Sequence, residues 1–388
     1  MQLYPENALQ QLEFDKIISI LSNSCQSPIG KEMVDEMRIH THPKYIQTAL
    51  SQTQEYKFIK SANQYFPSDF VVDIRKDLKL LGIPGAQLTG EQWLMVRKLA
   101  DHIQQVFRWF DAERKDAFAN LYLILDGTYY EKQIIDSIDA IIDERGNVKD
   151  NASEDLAKIR TQLFKTRQTL RRVFEKVVAK LAKSGYTADI DESFSNGRRV
   201  VAVFSEYKRQ VKGFFHGESD SRKTAFIEPE ETIELNNEIY SLEQDEAREV
   251  QRILRVLTAT LAPYSSLLLN YAQIVGQFDF IRAKALLAID MNGNMPQLQN
   301  KASARLINAY HPLLFLYNKV SGKKTIPVNI ELDDDARILI ISGPNAGGKT
   351  VSMKTLGLNQ VMMQSGLLVP MSELSEMGIY KQLFIQLG

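Results

Sequence analysis

Apolar positions at helical spacing dominate the first 150 residues. Leu9, Leu12, Ile17, Ile18 and Leu21 repeat near 3.6, and residues 91–110 carry Trp93, Val96, Leu99, Ile103, Val106, Phe107 and Phe110 in the same rhythm. Turn residues at 67–69, 82–85 and Gly127 separate these helices. The pair Ile141 and Ile142, running into Asp-Glu-Arg-Gly-Asn, predicts a strand entering a turn.

Residues 152–184 predict one long helix. They contain no Gly or Pro before 185, Ser153 can cap the start, and Gly185 can close the end. Leu156, Leu163, Leu170 and Val177 recur every seven residues, Ile159 and Val173 take second seam positions, and Thr166 interrupts them. At 1.5 Å per residue the seam runs for roughly 40 Å. A second long helix is expected over 231–262, stopped by Pro263, with Ile239, Leu242, Val250, Ile253, Val256, Leu257 and Leu261 as its seam. Between them, residues 199–204, 210–215 and 224–227 are short β-branched and aromatic runs separated by turn residues. This predicts a small β-rich tip carried on two stalk helices.

Charge sharpens that picture. Residues 156–183 hold nine cations (Lys158, Arg160, Lys165, Arg167, Arg171, Arg172, Lys176, Lys180, Lys183) against Glu175, a net +8. Residues 231–252 carry a net −5. A basic and an acidic helix of this kind read as antiparallel partners, and their pairing is the bland alternative to a polyanion-binding face. The tip residues 196–223 carry a net +4, from Arg198, Arg199, Lys208, Arg209, Lys212, Arg222 and Lys223 against three acids. Such a patch suits sequence-independent phosphate contacts, with a solvated β surface as the competing reading.

After Pro263 the pattern is helical through Ile289, and Met291, Asn294 and Pro296 mark a boundary. From about 298 it becomes α/β, with strands expected at 326–332 and 337–341 and a helix over 349–365. The expected division is a helical core (1–150), an outgoing lever helix (151–185), a β-rich clamp tip (186–230), a returning lever helix and core (231–296), and the first part of a P-loop domain (297–388). The fold class is mainly α, followed by an α/β domain.

The 388 residues are 44% hydrophobic and 24% charged with net charge −1, which excludes a polybasic wrapper, a collagen-like fibre and a disordered tail. One cysteine, Cys25, excludes an internal disulfide and a multi-Cys zinc site, and no secretory leader or spanning run is present, so a cytoplasmic protein without membrane contact is expected.

The chemistry is concentrated in Gly343, Pro344, Asn345, Ala346, Gly347, Gly348, Lys349 and Thr350, which fit G-x-x-x-x-G-K-[ST]. Glycines let backbone N–H groups turn inward around phosphate oxygens, and a helix N-terminus adds partial positive charge. Lys349 is expected to reach the β- and γ-phosphates of ATP, and Thr350 to ligate magnesium. No acid-tipped apolar strand follows, so no catalytic residue is assigned. The chain is expected to be part of a longer protein, to bind nucleotide weakly if at all, and not to turn it over by itself.

Residues 341–366 (ISGPNAGGKTVSMKTLGLNQVMMQSG) resemble the ATPase segment of the MutS family, in the branch lacking the N-terminal mismatch-reading domain. HPLL at 311–314, FDFIRAKA at 278–285, the tip block 197–237 and the opening helix 12–31 extend the resemblance over nearly the whole chain, with DSRK at 220–223 departing from the usual Ser-Gly pair. The resemblance implies a lever-and-clamp region followed by a truncated α/β P-loop ATPase domain of ABC type, in a homodimeric ATPase with a C-terminal Smr endonuclease domain that acts as an ATP-gated clamp on branched or structured DNA. The alternatives it leaves are a factor that splits collided ribosomes through rRNA contacts, and, for these residues alone, a non-catalytic binding or dimerisation module. No aromatic at 323–329 offers adenine stacking. Weaker candidates read blandly: His40 and His42 as a loop, His216 as packing, residues 333–335 as a turn, and Cys25 as a small buried apolar residue.

Overall fold

The computed structural model describes residues 1–188, 193–195, 197–344 and 348–386. Two compact units emerge, one of Met1–Lys79, Met95–Ile135 and Tyr264–Gly388, the other of Leu80–Leu94 and Asp136–Pro263.

The first unit is built on helix Ser265–Asp290, whose buried residues lie on every side: Leu268, Tyr271, Val275, Phe278, Ile281 and Leu287 among them. A helix apolar all round belongs inside other elements. Helices Phe14–Ser24, Pro28–Asp35 and Pro43–Ser61 pack on it. Gly276 permits the closest approach, because a Cβ there would stand 2.2 Å from Ile29 Cγ2. Asp279 fixes the start of helix Pro28–Asp35: its carboxylate accepts from Ser27 N–H (2.7 Å), Ser27 Oγ (2.8 Å) and Arg282 (2.8 Å). Ser27 Oγ in turn accepts from Gly30 N–H, an N-cap.

A four-stranded mixed sheet completes this unit, in the order Gln297–Gln299, Glu376–Gly378, Ala304–Ala309, Val328–Leu332, with only the first pairing parallel. The first strand of the chain, Gln2–Tyr4, pairs in parallel with Gln382–Phe384. Leu12, Ile17, Leu50, Leu287, Leu306 and Met362 belong to one continuous core.

Residues 337–341, expected as a strand, are irregular and solvent-exposed. The run is apolar on both faces, a pattern that needs flanking strands and two covering layers. Among the described residues no strand pairs with it, so its backbone has no ladder to join. The helix expected after it is present as Lys349–Gln364.

The second unit contains helices Glu154–Lys183 and Glu230–Leu261, packed antiparallel. Arg160 Nε lies 2.8 Å from Glu246 and Arg167 Nη2 lies 2.6 Å from Glu243. Thr166 is buried in the seam, where its hydroxyl bonds Glu238 at 3.2 Å. The outgoing helix ends in a Schellman motif: Gly185 sits at φ 72°, with Tyr186 N–H on Leu181 O and Gly185 N–H on Ala182 O.

Two expectations here are corrected. Val256 is 52% exposed, because the buried face is set by Ile253, Leu254, Leu257, Thr258 and Leu261; at 100° per residue Val256 stands about 130° from its centre. Ile141 ends helix Lys132–Ile141 rather than a strand, and only the single bridge between Ile142 and Val148 spans the turn. The apolar pair serves the helix first, since Ile134 and Ile138 share its buried side.

The tip is a four-stranded antiparallel sheet ordered Ser193–Ser195, Arg198–Phe204, Thr224–Pro229, Gly213–Glu218. Val201, Val203, Val211, Ala225 and Ile227 close over Phe174 of the outgoing helix.

Candidate functional site

The Gly-rich motif is described at both ends; Asn345, Ala346 and Gly347 lie outside the described residues. Gly348 is the N-cap of helix Lys349–Gln364, in the left-handed region at φ 86°, and no side chain caps this helix. Gly343 is at φ 147°, and open space surrounds the position of a Cβ at both glycines. Lys349 and Thr350 are the first two helical residues, Lys349 half-buried and Thr350 exposed. The far half of the helix is locked into the unit. Asn359 Nδ2 donates to Tyr310 O, Gln360 Nε2 to Gly378 O, and Gln364 Nε2 to His40 O and Tyr380 O. Near the start, Lys354 pairs with Glu13 at 3.3 Å. His311 of HPLL caps the neighbouring helix Pro312–Val320 through Nδ1, and burial keeps its pKa below the usual value.

The tip cations do not act as one set. Arg198 pairs with Glu228 at 2.9 Å and also reaches Asn237. Glu228 is 1% exposed and additionally accepts from His216 (2.9 Å) and Asn236 (2.8 Å). Burial pushes its carboxyl up, and the three bonds outweigh that and hold it below the ordinary range. Arg198 therefore neutralises a buried acid, to which His216 is also hydrogen-bonded. Arg199 lies over the rings of Phe194 and Phe174, and Lys208 pairs with Glu218 at 2.6 Å. Arg209, Lys212, Arg222 and Lys223 are exposed. Beside them on the edge strand Gly213–Glu218 stand Phe214 and Phe215, both open to solvent. The run expected at 210–215 meets this strand only over residues 213–215, and its aromatics face outward.

The outgoing helix divides its charge similarly. Arg160 and Arg167 pair with the returning helix, and Lys158 and Arg171 pair along their own helix. Lys165, Arg172, Lys176, Lys180 and Lys183 are exposed and have no acidic partner among the described residues. At 100° per residue, four of them (all but Lys180) fall within about 40° of one another, opposite the seam, along roughly 27 Å of helix.

Among the described residues no group of three His, Cys, Asp or Glu could hold a metal, and no helix is long and apolar enough to cross a membrane. His42 packs edge-on against Tyr45. Asp333 closes a turn by accepting from Ala336 and Asp335 N–H, bonds that hold its carboxyl low. Cys25 is buried, its thiol pushed up to about 12.

No protein-family model matches the chain. It is 31% identical to a Geobacillus sp. protein named Endonuclease MutS2 over 98% of its own length and 48% of the relative's. Proteins of the same name from Staphylococcus haemolyticus and Staphylococcus aureus are 32% identical over 99% of the chain and 48% of theirs. The chain thus spans about half the length of the curated relatives it matches.

Proposed function

The chain belongs to the MutS family, in its MutS2 branch, and from that premise we propose that it carries the nucleotide-responsive, DNA-binding part of an ATP-gated clamp that takes branched or structured DNA. The observation that carries the reading is the row Lys165, Arg172, Lys176 and Lys183, with Lys180 beside it, without acidic partners among the described residues after the neighbouring arginines have met their glutamates. Arg209, Lys212, Arg222 and Lys223, with Phe214 and Phe215 between them, extend the surface at the tip. Cations give salt-dependent phosphate contacts, and exposed rings can stack on base faces left open where helical stacking is interrupted at a branch point, which a plain duplex does not offer.

In this reading the motif takes the phosphates of a nucleoside triphosphate. Gly343 and Gly348 leave room for phosphate oxygens, the uncapped helix start presents backbone N–H groups, and Lys349 and Thr350 sit at its first turn. Lys349 would hold the β- and γ-phosphates, and Thr350 would ligate magnesium; ATP with magnesium supplies the state change that a paired site reads. Turnover, dimerisation and the endonuclease activity named for the relatives belong, in this reading, to the longer protein.

The test is fluorescence anisotropy with a four-way junction and a plain duplex over a salt series. Each phosphate contact contributes about 0.9 to the slope of log K against log salt for duplex DNA. Lys165/Arg172/Lys176→Gln should lower the junction slope by two to three. An unchanged slope would remove the helix face from the interface. Tighter binding to isolated ribosomes than to the junction at equal salt would move the ligand from DNA to rRNA. Lys349→Ala should abolish binding of a fluorescent ATP analogue while leaving the junction affinity without nucleotide unchanged.

A further inference from the structure

Within the first unit, helices Pro28–Asp35, Pro43–Ser61 and Ser265–Asp290 and the end of helix Lys349–Gln364 surround a cavity of about 380 Å³. Met33, Met37 and Phe280 give it an apolar wall, and Lys284 lines it from within the buried core helix. Lys284 is 3% exposed. Its Nζ donates to Gly366 O at 3.3 Å, a carbonyl it shares with Thr53 Oγ1. It also lies 4.6 Å from the centre of the Phe280 ring. No carboxylate pairs with it among the described residues. An ammonium held in the protein interior by one long, shared hydrogen bond is costly unless something else compensates it.

The rest of the lining points to what that is. Arg38 and His40 stand on the segment that follows helix Pro28–Asp35, and the N-terminal amine of Met1 is held next to them on Ile39 O at 3.2 Å. Glu36 is the only acid in the lining. Burial keeps His40 below its usual pKa, with the amine, Arg38 and Lys284 adding to the effect, and burial alone brings Lys284 down to about 8. The fixed charge of the site is therefore positive at neutral pH, against an apolar wall.

We propose that this cavity binds a small anion with an apolar body, a carboxylate or phosphate monoester on an aromatic or branched aliphatic group, with Lys284 as its counter-charge and Arg38 at the rim. The apolar part fills the space beside Met33, Met37 and Phe280, and the anionic end supplies the acceptors that Lys284 lacks. The site is separate from the Gly-rich motif, and its proposal does not depend on the DNA reading.

The test is isothermal titration of the 388-residue chain with phenyl phosphate, benzoate and the uncharged benzyl alcohol. At pH 7 one of the anions should occupy a single site at least about tenfold more tightly than benzyl alcohol. Whether phosphate or carboxylate prevails identifies the anionic group. Lys284→Met conserves volume and removes the charge; it should weaken the anion about tenfold or more and leave benzyl alcohol unchanged. Arg38→Gln, at an exposed position, should weaken the anion about threefold, and it keeps the test open if the Lys284 variant does not fold. Raising the pH from 7 to 9 should weaken the anion more in the unaltered chain, where Lys284 gives up its proton, than in Lys284→Met. The proposal is overturned if neither anion binds below about 10 mM, if benzyl alcohol binds as tightly as the anions, or if neither variant changes anion affinity.

Discussion

Ser153 Oγ donates a 2.7 Å hydrogen bond to Glu249 while accepting one from Leu156 N–H, so the cap that starts the outgoing helix is also a tie to the returning helix ninety-six residues away. The heptad seam sets which faces meet, and this contact helps to set their register.

Ser153→Ala should remove both bonds and destabilise the helical pair by about 1–2 kcal/mol, read as a lower urea midpoint at pH 7. Glu249 adds a pH signature. Its hydrogen bond from Arg252, then that from Ser153, hold its carboxyl at about 2, against an ordinary 4.5. A folded pKa below the unfolded one gives stability that is complete above about 4.5 and is lost as the pH falls toward 2. The alanine variant should show a shallower loss over that window. Parallel acid limbs in the two proteins would show that the bond does not contribute.

At the tip, the geometry separates folding from binding. Arg198→Met leaves the buried Glu228 short of its charged partner and should destabilise the tip by about 2–3 kcal/mol. Arg209/Lys212/Arg222/Lys223→Gln changes exposed positions only and should hold stability within about 0.5 kcal/mol per site while weakening DNA binding. Thermal unfolding and anisotropy on the same preparations distinguish the two outcomes. Equal stability in both variants would refute the structural role given to Arg198.

How much of this was legible depended on whether the signal was local. Ser153, Gly185 and the seven-residue spacing of Leu156, Leu163 and Leu170 are local, and the opposite charges of the two helices anticipate the Arg160–Glu246 and Arg167–Glu243 pairs. Phe174 is buried off that seam because strand residues beyond 200 cover it, which no helical period reveals. Strands Gln2–Tyr4 and Gln382–Phe384 are three residues each and carry no periodicity; only the folded chain brings them together. Among the motif residues, spacing located the helix start at Gly348. It also implied a preceding strand, which requires partners that local sequence cannot supply. The tip cations were counted correctly as charges, yet Arg198 was already committed to Glu228. Lys284 looked like any helical lysine, and the signal was the helix around it, apolar on every side.

Gly276 gives a packing test of the core. Alanine favours a helix over glycine by about 1 kcal/mol. At this position, however, its Cβ would lie 2.2 Å from Ile29 Cγ2 and 2.8 Å from Ile29 Cβ, in the body of a branched side chain. The clash should win, with Gly276→Ala destabilising by about 1–3 kcal/mol. Adding Ile29→Ala should return part of that loss. Additive effects in the double-mutant cycle would show that the two helices do not meet as described.

The apolar run before the Gly-rich motif predicts a solution property of these 388 residues. Ile338 is 83% exposed, Leu339 45%, Ile340 85% and Ile341 37%, with no strand beside them among the described residues. Four consecutive apolar residues with unpaired backbone are a template for pairing with a second chain. Sedimentation velocity should therefore show association that grows with protein concentration and is not reversed by high salt, since its source is apolar. Ile338→Lys with Ile340→Lys places like charges on the run and should return the protein to one species. Because neither side chain is buried, the urea midpoint should move by no more than about 0.5 kcal/mol in equivalent stability. Association that persists in the double variant would locate its cause elsewhere on the molecule.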